Sequence, residues 1–192
     1  ANATFSKFIK KNYEKWVTGD EHPEMSPQVF KNHVFPILDK GEKLFFILID
    51  NFRLDQWRTI KPLLSELFTF EEDLYCSILP TATQYARNAI FSGLLPNQIQ
   101  KMFPEYWVDE DEEEGKNIYE EDLLRTQIER FRKKYTFSYH KINDSVSGEK
   151  LNSDLKHFCS MFDYRNNGSD NWGNSKTAIE RTVKFRAGET EK

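Results

Sequence analysis

The feature that most constrains the fold is an unbroken apolar run of six residues, from Leu44 to Ile49. The run is shorter than an ordinary helix, and its content of Phe and Ile favours a β-strand. A strand that is apolar on both faces must be covered on both, which is typical of the parallel sheet of an α/β protein. The sequence therefore predicts a buried strand that ends at Asp50.

The rest of the chain alternates helical and strand-like segments. Two further strands are predicted at residues 74–79 and 137–142. Helical spacing predicts helices at residues 4–18, 83–94, 97–103, 117–134 and 149–158. Capping signals predict two more. One begins with Ser26 as its N-cap and is ended or kinked by Pro36, and the other follows Asp55 as its N-cap. This order predicts a three-layer α/β fold, with a mostly parallel sheet and flanking helices.

The length of 192 residues is sufficient for one domain with a real core. We predict N-terminal helices over residues 1–40, a partial α/β domain over 41–158 and an irregular tail over 159–192. Six consecutive acidic residues at 109–114 are typical of a solvated loop, with a cation site as the alternative.

Composition and charge argue against several classes of function. A formal net charge of −4 predicts no electrostatic footprint for duplex nucleic acid, although four lysines form a modest basic face on the first helix. The two cysteines match neither a metal-ligand spacing nor a disulfide framework, and no apolar run approaches the ~20 residues of a membrane span. Because the start also lacks a signal-peptide pattern, we expect a cytoplasmic protein.

Polar residues follow two of the predicted strands. Asp50 follows the first strand, and Pro80-Thr81-Ala82-Thr83 follows the second at the start of a helix. A carboxylate at a strand end suits a metal cation, and a helix N-terminus favours phosphate. The alternatives are that Asp50 only caps its turn and that the threonine is only an N-cap. Asn88 and Arg53 are candidates for binding a phosphate oxygen, or are structural.

Two segments, Ile49 to Trp57 and Leu79 to Pro96, resemble the PglZ domain of the alkaline phosphatase superfamily. The likeness runs from about Phe5 to Arg132 and more loosely to Leu155. It is nearest to the output domain of PorX-type response regulators, which are linked to type IX secretion. The second segment is long, so the resemblance does not depend on a short pattern.

The resemblance implies a two-zinc phosphohydrolase, a phosphodiesterase or phosphatase that acts on nucleotides or oligonucleotides. By the match of motifs, Asp50 is a metal ligand and Thr83 is both nucleophile and metal ligand, with Thr81 as a weaker candidate. Asn88 and Arg53 take the phosphate-binding role.

The sequence departs from the family pattern after these motifs, because it contains no Asp-His-Gly segment and none of its four histidines fits the family pattern. We therefore expect a truncated, N-terminal part of the domain with an incomplete zinc site and little or no hydrolysis. The alternative is a non-catalytic signalling or protein-interaction module of a two-component regulator, acting through a homodimer or a partner protein.

Overall fold

A computed structural model of the protein describes residues 2–19, 21–66, 68–108 and 117–154. The chain divides into two compact units. Unit 1 consists of Ala1–Pro36 and Glu72–Tyr135, and unit 2 consists of Ile37–Glu71 and Thr136–Lys192. The predicted acidic loop at 109–114 and the predicted tail at 159–192 lie outside the described residues.

Helices dominate the part of the chain that the structure describes. They are α1 (Asn2–Thr18), α2 (Phe35–Leu38), α3 (Leu54–Leu64), α4 (Thr83–Ser92), α5 (Pro96–Met102) and α6 (Glu120–Arg130), and residues 145–154 are also helical. These positions confirm the predicted helices, with ends that differ by a few residues. Residues 155–158 of the last predicted helix lie outside the described residues. None of the described helices is both long enough and apolar enough to cross a membrane.

The helical segment that leads into α2 corrects the prediction for its start. Met25, not Ser26, is the N-cap of a 3-10 turn over Ser26–Gln28, because the Ser26 hydroxyl instead accepts a hydrogen bond from the backbone N–H of Ile78. The sequence predicts that Pro36 either ends or kinks the helix. The helix does not end there, because α2 continues to Leu38. A π-helical turn over Phe30–Val34 precedes α2, and such a wide turn accommodates a proline that has no N–H to donate.

The three predicted strands are not formed as paired strands in the described residues. Residues 44–49 and 137–142 have no regular secondary structure, and within 74–79 the one pairing is a parallel bridge between Met25 and Cys76. A strand requires hydrogen bonds to a neighbour, so an apolar sequence is not enough to form one. The three-layer α/β fold with its mostly parallel sheet stays a prediction.

Unit 1 has a well-packed core around α4. Met25, Ile78 and Ala89 form its centre, and the aromatic side chains of Tyr13 and Trp16 pack against them. Phenylalanine pairs extend the core, with Phe30 against Phe91 and Phe35 against Phe131. On α6 the core residues are Leu123, Leu124 and Ile128. The core therefore covers α4 with the N-terminal segment and α6.

Unit 2 buries far fewer side chains among its described residues. In and directly after α3, Leu64 and Phe68 are buried, and Trp57 packs edge-on against Phe70. Helical spacing predicts a buried stripe on α3 that consists of Trp57, Ile60, Leu63, Leu64 and Leu67. Ile60 and Leu63 are exposed, however, and Leu67 lies outside the described residues. The predicted N-cap is also wrong, because Arg53 is the N-cap and Asp55 lies in the first turn.

Candidate functional site

Asp50 lies in an exposed turn of unit 2. Its Oδ1 atom accepts a hydrogen bond of 3.0 Å from the backbone N–H of Asn51, whose φ of +54° places it in the left-handed region. Asn tolerates this conformation better than most residues. The carboxylate thus performs the turn-capping role that the sequence leaves as the alternative to metal binding. The metal-ligand role stays a prediction.

Arg53 is held by its neighbour Asp55 through a planar two-bond pairing. Its Nε and Nη2 atoms donate hydrogen bonds of 2.9 and 2.7 Å to the two carboxylate oxygens. This contact raises the pKa of Arg53 and lowers the pKa of Asp55 relative to their ordinary values. The backbone N–H of Arg53 donates to Gln56 Oε1 at the third helical position, which is the back-bond expected of the N-cap residue of α3. The guanidinium is exposed and already bound to a carboxylate.

The second turn leads directly into α4, as predicted. Ala82 is the N-cap, so Thr83 is the first helical residue. The Ala82 carbonyl accepts from the N–H groups of Tyr85 and Ala86, whereas the preceding N–H groups of Thr83 and Gln84 have no partner in the helix. Because the N-cap role falls to Ala82, neither candidate threonine is the cap.

The two candidate threonines differ in exposure, since Thr83 is half-buried and Thr81 is exposed. Neither hydroxyl forms a hydrogen bond to another described residue. Asn88, the predicted phosphate ligand on the same helix, is buried five residues after Thr83. Thr81, Thr83 and Asn88 thus all belong to unit 1, whereas Asp50 and Arg53 belong to unit 2.

Metal ligands are sparse in the described part of the chain. Residues 2–154, with their gaps, contain no group of three His, Cys, Asp or Glu side chains that could hold a metal ion. Zinc takes four ligands at structural sites and about three from the protein at catalytic ones. One carboxylate and one hydroxyl do not meet that requirement, so the described residues do not fit a two-zinc centre.

The three histidines in the described residues do not supply the missing ligands. His33 Nε2 lies 2.9 Å from Glu24 Oε2, and its Nδ1 lies 3.9 Å from Asp73. His22 Nδ1 contacts the carbonyl oxygen of Pro23 at 2.7 Å. His140 is exposed, and the fourth histidine, His157, lies outside the described residues.

Sequence reasoning missed the ion pair that fixes α4 to α6. Arg87 contacts both carboxylate oxygens of Glu120, at 2.7 and 2.9 Å, and the Glu120 side chain is completely buried. Near the other end of α4, the Arg130 guanidinium donates to the Ser92 carbonyl, and partial burial lowers the pKa of Arg130. These partners lie more than 30 residues apart in sequence, and no local pattern identifies them.

Comparison with known proteins identifies the family. No curated protein matches the chain. The family model described as the BREX system PglZ alkaline phosphatase-like domain matches residues 29–159. This range covers more than half of the chain and includes both turns of the candidate site. The chain therefore belongs to the PglZ family of alkaline phosphatase-like domains.

Proposed function

We propose that residues 29–159 belong to a phosphohydrolase domain that binds its reacting phosphate at the first turn of α4. The observation that carries this proposal is the family match together with the start of α4 at Thr83. The N–H groups of Thr83 and Gln84 point out of the helix end, where the helix dipole favours an anion. The proposed substrates are phosphodiesters or phosphomonoesters of nucleotides or oligonucleotides.

Thr83 is the proposed nucleophile, and Thr81 is the weaker candidate. In this reaction the Thr83 Oγ bonds to phosphorus and gives up its proton, while the ester oxygen leaves with the bonding electrons and takes up a proton. Water then hydrolyses the phosphothreonine. Support comes from the position of Thr83, which is the first helical residue and therefore lies beside the unpaired N–H groups that would hold the phosphate.

The remaining site residues carry secondary roles in the proposal. Asn88 and Arg53 bind non-bridging phosphate oxygens, and Asp50 is a ligand of one of two zinc ions. Alkaline phosphatase-like domains are generally metal-dependent, but residues 1–192 contain no Asp-His-Gly segment. We propose that this chain is the N-terminal part of the domain and that other metal ligands lie outside these residues.

Inorganic phosphate tests the anion site directly. Titration into the isotopically labelled chain is expected to shift the backbone amide resonances of Thr83 and Gln84. The Thr83→Ala variant keeps both N–H groups and is expected to keep the response. A wild-type chain without any response at these amides would overturn the proposal.

Turnover tests the nucleophile. With bis(p-nitrophenyl) phosphate and added zinc, the rate is expected to stay near background, because one carboxylate and one hydroxyl make a poor zinc site. Substantial turnover that is lost in Thr83→Ala and kept in Thr81→Ala would establish Thr83 as the nucleophile. It would also refute the expectation that this chain has too few zinc ligands for hydrolysis. Loss in Thr81→Ala alone would reassign the nucleophile.

A non-catalytic signalling module is the second candidate, and one observation on α1 favours it. Phe5 and Phe8 are 65% and 51% exposed, although the same helix packs Trp16 into the core. In this alternative the domain is the cytoplasmic output domain of a PorX-type response regulator, linked to type IX secretion, and α1 contacts a partner or a second copy. Concentration-dependent dimerisation without zinc uptake in calorimetry would favour it. Stoichiometric zinc binding would favour the enzyme.

A further inference from the structure

The segment that delivers the Thr83 turn is held by residues near the N-terminus of the chain. The N–H and C=O of Cys76 bond to the backbone of Glu24 and Ser26, at 2.7 and 3.2 Å. The next inward N–H, that of Ile78, donates to the Ser26 hydroxyl at 3.1 Å. Ser26 is completely buried, so this contact is protected from water. The segment is thus anchored at Cys76 and at Ile78.

Tyr13 of α1 continues this series of contacts at Leu79. Its hydroxyl accepts a hydrogen bond of 2.7 Å from the Leu79 N–H and lies 3.3 Å from the Leu79 carbonyl oxygen, to which it donates. The Tyr13 ring packs against the core cluster that contains Ile78 and Ala89. One side chain therefore pairs with both backbone groups of Leu79, as a neighbouring strand would.

Leu79 is the last anchored residue before Pro80-Thr81-Ala82-Thr83. On the other side of the turn, Arg87 is bonded to buried Glu120, one helical turn after Thr83. Thr83 therefore lies between two fixed points, one set by α1 and the other by α6. The fixed point set by α1 comes from residues 1–28, which lie outside the range that matches the family.

We propose that Tyr13 is a positioning residue for the Thr83 turn, acting through both backbone groups of Leu79. This inference rests on the proposed function, because the turn must bind phosphate for its position to matter. Catalytic and anion sites are sensitive to displacements of about 1 Å. A hydroxyl that fixes the residue before the turn can thus control the site without touching the phosphate.

The test compares Tyr13→Phe with the wild-type chain. The variant keeps the ring and removes the hydroxyl, and Tyr106→Phe is the matched control because the Tyr106 hydroxyl bonds to no other described residue. Amide hydrogen exchange at Leu79 is expected to rise about tenfold, as for the loss of one net hydrogen bond. The amide shifts that inorganic phosphate induces at Thr83 are expected to weaken in Tyr13→Phe and to be unchanged in Tyr106→Phe.

The outcomes separate this inference from the proposed function. Equal phosphate responses in wild type and Tyr13→Phe would overturn the positioning role, even if exchange at Leu79 rises, since Tyr13 would then be merely structural. If the wild-type chain shows no response at Thr83, the proposed function fails and the positioning role fails with it. Should Tyr13→Phe not fold, Ser26→Ala removes the next anchor, and it is expected to raise exchange at Ile78 and to weaken the phosphate-induced shifts at Thr83.

Discussion

Helices α3 and α4 follow the two turns of the candidate site, and they differ in burial. Seven of the ten residues of α4 are buried, whereas α3 buries one of its eleven, Leu64. Both helices follow a segment with the composition of a strand. The turn at Thr83 is held by contacts from distant parts of the chain, whereas the Asp50 carboxylate accepts a hydrogen bond from its neighbour Asn51.

Two arginine–carboxylate pairs show the same contrast. Arg87 and Glu120 are 33 residues apart, and the Glu120 side chain is completely buried. Arg53 and Asp55 are two residues apart, and both side chains are more than two-thirds exposed. An exposed pair is screened by water, whereas a buried carboxylate that loses its partner is left with an uncompensated charge. The similar geometries therefore have different energetic consequences.

Breaking each pair gives the largest expected difference between the two regions. Arg87→Ala leaves the Glu120 carboxylate buried without this cation and is expected to reduce the free energy of unfolding by about 3 to 5 kcal/mol. The matched variant Arg53→Ala is expected to change it very little, because the pair is exposed. Urea denaturation and amide exchange within α4 measure the effects. Equal effects of the two variants would show that burial does not distinguish the pairs.

Two glycines with positive φ provide an intermediate test. Gly93 ends α4 with φ of +63°, and Gly41 in unit 2 has φ of +77°. A Cβ at Gly93 would overlap the buried amide of Gln127, whereas a Cβ at Gly41 would have no atom within 4 Å. In both alanine variants the left-handed backbone is expected to lower the free energy of unfolding by about 1 to 2 kcal/mol. Overpacking is expected to lower it by at least about 1 kcal/mol more in Gly93→Ala. Thermal unfolding of the two variants decides whether the contact with Gln127 matters.

The smallest expected effect is the pH dependence of the exposed pair. The Arg53 guanidinium lowers the pKa of Asp55 below 3.8, so the stabilisation is present above the unfolded-state pKa and is lost as pH falls through the folded-state pKa. Carbon NMR titration of the Asp55 carboxyl is expected to give this low pKa in the wild type and an ordinary one in Arg53→Gln. An unchanged pKa in the variant would show that the pair does not persist in solution.

Local signals predicted the helices well. The helical spacing of apolar residues in α1 depends on residues within one or two turns, and it agrees with the structure. The same holds for Thr83 at the start of α4. The prediction of Asp55 as a cap failed because the helix begins at Leu54, one residue before Asp55, which places Asp55 inside the first turn, where its carboxylate pairs with the Arg53 guanidinium.

Non-local contacts could not be predicted in this way. The apolar run at 44–49 has the composition of a buried strand, but composition does not specify a pairing partner. Ser26 has the sequence signature of an N-cap, yet its hydroxyl accepts a hydrogen bond from the N–H of Ile78, 52 residues away. Nothing in the sequence around Tyr13 indicates that its hydroxyl bonds to a residue 66 positions later.

By itself, the sequence determined the helices, the turn that ends at Thr83 and the likeness to PglZ domains, because these depend on residues close together in the chain. Only the tertiary structure decided which distant residues hold the Thr83 turn. Tyr13 and Glu120 lie far from Thr83 in sequence, and the packing of α1 and α6 around α4 brings them to either side of its turn. The Asp50 turn has its capping bond from Asn51, its neighbour in the chain.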